Sequence, residues 1–132
     1  MNMTADILGI GAIILIEYPY EDKNNSKTRP AVVISYGMNT TAVVLLKISS
    51  VNKYADSKKY PYAYKIKDLN GTGLKKASFI LTNKELQISN KTPCKAIGRL
   101  AQNELRIITV LHNKAVLEGK NVVQIEKKQN KE

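Results

Sequence analysis

The chain has 132 residues, 43% of them apolar, which suits one domain with a modest core and is too apolar for a disordered chain. Lys and Arg number 21 against 11 acids, a formal charge of +10, so a polyanion is the expected partner: nucleic acid, an anionic membrane surface or an acidic protein. No apolar stretch is long enough to span a bilayer, and a single Cys (Cys94) with a single His (His112) excludes an intrachain disulfide and argues against a Cys/His zinc site.

The opening stretch MNMTADILGIG carries an acid and no early Lys or Arg. It does not fit a secretory signal, so a cytoplasmic location is expected. After Gly11, the run AIILI is apolar at odd and even positions until Glu17, the pattern of a strand covered on both faces. Pro19 and EDKNNSKT break it into a charged loop. Arg29-Pro30 then leads into AVVIS, a β-branched strand, with Pro30 where a missing N–H costs least. Tyr36 to Asn39 is a turn candidate, and TTAVVLLKI (40–48) is a third strand. The polar segment VNKYADSKKY reads as a loop.

PYAYKIK alternates with period two. Tyr60, Tyr62, Tyr64 and Ile66 share one face; Pro61, Ala63, Lys65 and Lys67 share the other. A half-exposed strand is predicted. Asp68 to Gly73 contains two glycines but lacks the Lys-Ser/Thr ending of a phosphate loop, so it reads as a hairpin turn. SFILT (78–82) is a strand, and 85–89 extends the sheet. CKAIGRL (94–100) is a strand that feeds a helix over 102–117. Leu105, Ile108, Leu111 and Ala115 give that helix an apolar stripe, Gly119 stops it, and Ala101 caps its start weakly. NVVQIE is a possible edge strand before a charged tail. Many short strands and one late helix predict a mainly β (α+β) fold, a small barrel or strongly curled sheet with a helix packed on it.

The order of these blocks carries a resemblance. Gly11, the strand AIILI, a polar loop, Arg29-Pro30, AVVIS ending at Ser35, and then a strand ending in Ser49-Ser50 resemble the MazF/PemK toxins of type II toxin–antitoxin systems. GLKKASFILTNKELQIS (73–89) and CKAIGRLAQNEL (94–105) are similar to the family's later blocks. The likeness covers about residues 9–118 of a single 132-residue domain, with 119–132 as an extension. It implies an SH3-like β-barrel with a C-terminal helix, of the type shared with the CcdB toxins, and usually a homodimer. It also implies a metal-independent, cofactor-free endoribonuclease that cuts single-stranded mRNA at short sequences, and an acidic antitoxin as partner. Arg29 falls on the family's catalytic Arg. Ser49 falls where the family usually has a catalytic Thr. Ala12 stands where an Asp commonly follows the opening Gly. Two other readings stay open: a non-catalytic relative that binds nucleic acid or an antitoxin, and a gyrase inhibitor like the CcdB toxins.

The residue types suit metal-free RNA cleavage, in which the 2′-OH attacks the phosphorus and negative charge builds on the phosphate. An Arg fork can hold two phosphate oxygens while staying charged. A strand-end hydroxyl such as Ser49, with Ser50 beside it, can donate to a third. Lys58, Lys59 and Lys65 fit phosphate contacts, and Tyr54 with the tyrosine strand could stack bases. The alternation nonetheless favours Tyr60, Tyr62 and Tyr64 as cover for the barrel, which leaves the lysines of the opposite face to meet RNA. Lys23 and Lys27 in the first loop are placed to close over a strand of RNA, and Ser78 is a weaker candidate by resemblance. His112 on the helix reads as a partly buried structural histidine, and Cys94 as a small buried apolar residue.

Overall fold

The computed structural model describes residues 3–4, 9–17, 28–36 and 42–126, and structure is stated for these alone. The first loop with Lys23 and Lys27, most of the turn after Tyr36 and the tail from residue 127 lie outside them. Eight strands form one sheet: β1 (Met3–Thr4), β2 (Ala12–Glu17), β3 (Thr28–Tyr36), β4 (Ala42–Ser49), β5 (Ala63–Lys65), β6 (Phe79–Ser89), β7 (Pro93–Arg99) and β8 (Val122–Ile125). One helix, α1 (Gln102–Leu117), falls on the predicted span. The strands pair in the order β1-β7-β2-β3-β4-β6-β5, and β8 adds in parallel to β6. All other pairings are antiparallel. The path does not close on itself, but irregularities in the β2–β7, β3–β4 and β4–β6 pairings add the twist that curls such a sheet.

The double-sided apolar run of β2 has a direct consequence. Ile14 and Ile16 enter one apolar cluster with Ala31, Val33, Leu45 and Cys94. Ile13 enters a second with Val32, Leu46, Ile80, Leu105 and Ile108. Alternation sends neighbouring residues to opposite faces, so a strand rich in both registers needs cover on both sides. The α1 stripe provides cover on the second face: Ile108 and Ala115 are fully buried there, and Leu105 nearly so. Gly119, at φ +70°, ends the helix; its N–H reaches Val116 O and that of Lys120 reaches Ala115 O, a Schellman pattern.

Ala101 leaves the helix start without a side-chain cap. Glu104, in the first turn and only 2% exposed, reaches outward instead. Its carboxylate accepts from Lys67 N (2.8 Å), Asp68 N (3.1 Å) and the Tyr64 hydroxyl (2.6 Å). Burial, reinforced by that bond, raises the Tyr64 phenol above its ordinary pKa. Glu104→Gln replaces one acceptor oxygen by a donor facing these groups. A loss of about 1–3 kcal/mol in urea unfolding is expected; an unchanged midpoint would remove this bridge from the account.

The glycine segment turns the chain between the antiparallel strands β5 and β6, as its composition predicts, with Thr72 N donating to Leu69 O (3.1 Å), but within a longer connection. The β5–β6 ladder continues to Ile66 N–Ser78 O (3.0 Å), and residues 67–77 form a flap that crosses to β7. Arg99 N donates to Gly71 O (2.8 Å). A Cβ on Gly98 would lie 2.3 Å from the Thr72 carbonyl carbon, and one on Gly73 would lie 2.2 Å from Ile97 O. Backbone meets backbone here, and the fully buried Thr72 holds the flap's bend through Leu69 O (2.6 Å) and Leu74 N (3.1 Å).

Candidate nucleic-acid interface

Strand register, rather than proximity in sequence, assembles the candidate site. Arg29 pairs with Ile16 across β2–β3. Ser49 pairs with Phe79 across β4–β6, and Phe79 with Lys65 across β6–β5. Between β3 and β4, Ala31 faces Lys47. Two residues further along the same antiparallel register, Arg29 comes level with Ser49. Directly opposed residues share a face, so Arg29, Ser49, Phe79 and Lys65 form one cross-strand row at the end of the curled sheet. Arg29 and Lys65 are exposed, Ser49 is half-buried and Phe79 is buried. Ser49 Oγ accepts from Val51 N (3.1 Å), which leaves its hydroxyl hydrogen to donate elsewhere.

The next row on that face is Lys47, Leu81 and Ala63. Leu81 and Ala63 open into a pocket of about 160 Å³ walled by Tyr54, Tyr60, Lys53 and Lys59. The chain reaches it directly from Ser49 through a 3₁₀ turn, Asn52–Ala55. Tyr54 and Tyr60 meet edge to face at 4.9 Å, and Lys53 Nζ lies 5.2 and 5.8 Å from their ring centres. Between Leu46↔Glu85 and Lys47↔Leu81 the β6 strand carries extra residues, and this bulge delivers Asn83 and Lys84 to the pocket. Thr82 fixes the bulge through Tyr62 O, by its N–H (3.1 Å) and its hydroxyl (2.6 Å).

The predicted residues therefore divide. Arg29, Ser49 and Lys65 come together in one row, Lys59 joins the pocket, and Ser50 and Lys58 are exposed close by. Asp56 braces the turn, accepting from the backbones of Lys58 (3.1 Å) and Lys59 (3.3 Å). Ser78 does not join them: it is 3% exposed, lies on the helix side with Ile66 and Ile80, and donates to Lys76 O (2.8 Å). Lys23 and Lys27 lie outside the described residues. Ala12 is buried in the apolar cluster with Cys94. Arg99 braces the Gly9–Gly11 turn, donating to Ile10 O (2.8 Å). Lys53, Asn83 and Lys84 escape a reading of the sequence, because a loop and a bulge position them; the only available signal is Lys53 beside Tyr54.

Among the described residues, no acid lines the pocket. Several acids are engaged by hydrogen bonds. Glu104 holds the flap, Glu126 accepts from Ser89 N (3.0 Å) and Thr92 (2.7 Å), and Glu118 accepts from the Tyr62 hydroxyl. Glu85 is buried beneath β8, where His112 Nε2 (2.9 Å), Asn121 (2.8 Å) and Gln87 (2.6 Å) reach its carboxylate. Burial pushes the Glu85 carboxyl up, but the hydrogen bonds from Gln87, Asn121 and His112 outweigh it and hold the group below its ordinary 4.5. A depressed folded value adds stability above 4.5 that is lost as pH falls through the folded value. Glu85→Gln should therefore flatten the acid limb of a pH–stability curve below 4.5; an identical limb in both proteins would exclude Glu85 as its source. Among the described residues, no three His, Cys, Asp or Glu side chains converge as a metal site, and no helix is long and apolar enough to cross a membrane.

Residues 10–111 match the family model of the PemK-like, MazF-like toxins of type II toxin–antitoxin systems. The chain belongs to this family. Crystal structures of MazF from Deinococcus radiodurans have the same fold. The Form-I MazF is 15% identical, with a TM-score of 0.52 over 83% of this chain and 94% of that one. The MazE–MazF structure (Form-II) is also 15% identical, with a TM-score of 0.53 over the same shares. No curated protein matches the sequence. The expected mainly β fold with one C-terminal helix is thus the PemK/MazF fold, and α1 beyond residue 111 and β8 lie past the family match.

Proposed function

We propose that this PemK/MazF-family toxin is a metal-independent endoribonuclease that cuts single-stranded RNA at short sequences, and that the whole chain acts as one domain. The observation that carries the reading is the row that sets Arg29, Ser49 and Lys65 on one face across four strands. The 2′-OH attacks the adjacent phosphorus, the 5′-oxygen leaves and takes up a proton, and a 2′,3′-cyclic phosphate remains. Charge grows on the non-bridging oxygens in the transition state. Arg29 offers them a two-pronged donor fixed at the start of a rigid strand, and Ser49 offers a hydroxyl hydrogen. Preorganised donors of this kind act most strongly where charge develops. Lys58, Lys59 and Lys65 hold the flanking phosphates, with Ser50 at the same edge, and Lys23 and Lys27 add to the RNA contacts. Among the described residues no histidine or carboxylate lines the pocket, and His112 is engaged with Glu85, so the reading assigns no general base.

The net charge of +10 and the family's toxin–antitoxin membership support an acidic antitoxin as the protein partner; the MazE–MazF structure shares the fold. The reading includes a homodimer acting in the cytoplasm. The test is incubation of purified protein with a long RNA in EDTA, followed by mapping of 5′ ends. Discrete cuts that vanish in Arg29→Ala support the nuclease. Salt-sensitive binding without cuts would replace it with a non-catalytic binder.

A further inference from the structure

The pocket beside the Arg29–Ser49 row is built from unlike parts: a 3₁₀ turn supplies Lys53 and Tyr54, a loop supplies Lys59 and Tyr60, and a strand bulge supplies Asn83 and Lys84. From these observations we propose that it is a nucleobase subsite. One unpaired base of the bound RNA inserts there and stacks on the tyrosines, while the lysines hold the phosphates on either side. The inference rests on the reading of this face as an RNA surface and adds to it a place where sequence is read.

Four features favour a base. At about 160 Å³ the pocket is below the range of drug-sized ligands and suits a single flat ring system. Its walls are aromatic and its rim is cationic, the combination that binds single strands: rings stack bases and lysines track the backbone. Three lysines and, among the described residues, no acid form the lining, with Asp56 and Glu118 behind it on Lys59 N and the Tyr62 hydroxyl, so the local field favours a polyanion. Asn83 adds an amide, which has both donors and an acceptor and can bond the edge of a stacked base. The bulge that places Asn83 and Lys84 is otherwise an interruption of the long β4–β6 ladder.

Position supports the same occupant. Leu81 in the pocket wall faces Lys47, one row from Ser49 and Phe79, and Tyr54 also packs against Phe79 at 6.4 Å. An RNA strand with a phosphate at Arg29 and Ser49 therefore passes the pocket at a neighbouring nucleotide. The base held there is the one that selects the cut site. A plainer role for the rings is packing that fastens the 3₁₀ turn to the sheet, so the test has to separate stacking from packing.

The measurement is binding, in EDTA, of a labelled RNA spanning a mapped cut site to Arg29→Ala protein, with an abasic nucleotide substituted at one position at a time. Tyr60→Phe keeps the ring and Tyr60→Leu keeps only apolar bulk. Affinity should fall about ten-fold in Tyr60→Leu and change little in Tyr60→Phe. One abasic position should cost a similar factor in the parent and nothing further in Tyr60→Leu, the signature of a direct contact. With Arg29 intact, Tyr60→Leu should still cut RNA but with relaxed preference at that position. Equal binding by all three proteins, or an abasic penalty unchanged by Tyr60→Leu, overturns the subsite while leaving cleavage intact. Competition by inorganic polyphosphate as effective as that by RNA of equal charge also overturns it, since the pocket then reads charge alone. If the parent neither binds nor cuts RNA, the nuclease reading falls first and the subsite falls with it.

Discussion

Arg29→Lys is expected to slow RNA cleavage by about 10²–10³-fold, the usual cost of removing one donor aimed at developing charge. The substitution keeps the positive charge but replaces a planar fork by a point charge, so one of two phosphate oxygens loses its partner. Arg29 is exposed as the second residue of β3, and the change should leave the fold in place. Single-turnover cleavage in EDTA, alongside a thermal melt, measures both quantities. Cutting by the Lys variant at the parental rate would mean that bulk charge suffices, and would remove the bidentate role. Ser49→Ala should act in the same direction, because Val51 N occupies only an acceptor site on that hydroxyl.

The largest stability loss is expected from Gly98→Ala. The new methyl group would sit 2.3 Å from the Thr72 carbonyl carbon and 2.4 Å from Gly71 O. Both are backbone atoms and cannot swing aside as a flexible side chain does. The flap has to lift, which strains the Arg99 N–Gly71 O bond and exposes Thr72, buried completely in the parent. Overpacking of this kind costs about 3 kcal/mol or more, which lowers the melting temperature of a chain this size by about 10 °C. Gly119→Ala provides the contrast: it has φ +70° but nothing within 4 Å, so it bears conformational strain alone, about 1 kcal/mol. Equal melting of the two variants would sink the close-approach argument.

Periodicity exposed the elements whose own sequence decides them. The apolar run of β2 is buried on both faces, and the α1 stripe and its glycine stop coincide with the observed helix. Of the alternating stretch only Ala63–Lys65 forms a strand, with Lys65 open to solvent and the next residue, Ile66, 3% exposed; Tyr60 and Tyr62, expected on the Ile66 face, line the pocket together with Ala63 instead. Features decided by two distant segments were not legible. Gly71 to Gly73 carries turn chemistry, but its conformation is set by Gly98, a residue that meets it only in the folded sheet. Glu104 has the composition of an ordinary first-turn acid, yet its partners are the backbone of 67–68 and Tyr64. In the candidate site, Arg29 and Ser49 stood out only through the order of family blocks. The pocket beside them depends on a bulge whose residues, TNK, have no periodic signature.

The pairing of β2 with β7 sets Ile13 beside Gly98, so the first long strand meets one of its two neighbours only after most of the polypeptide exists. At elongation rates of about 5–20 residues per second, synthesis of these 132 residues takes roughly 7 to 26 seconds. For much of that time β2 and β3 can exist only as a hairpin, without the helix that covers one face, and pairings this distant are slow to nucleate. The last strand, β8, brings Asn121 to Glu85 only after α1 is complete. The row at Arg29 and Ser49 needs only β3 and β4, but the strand and helix that cover β2 are made last, so the sheet that supports this row is completed late in synthesis.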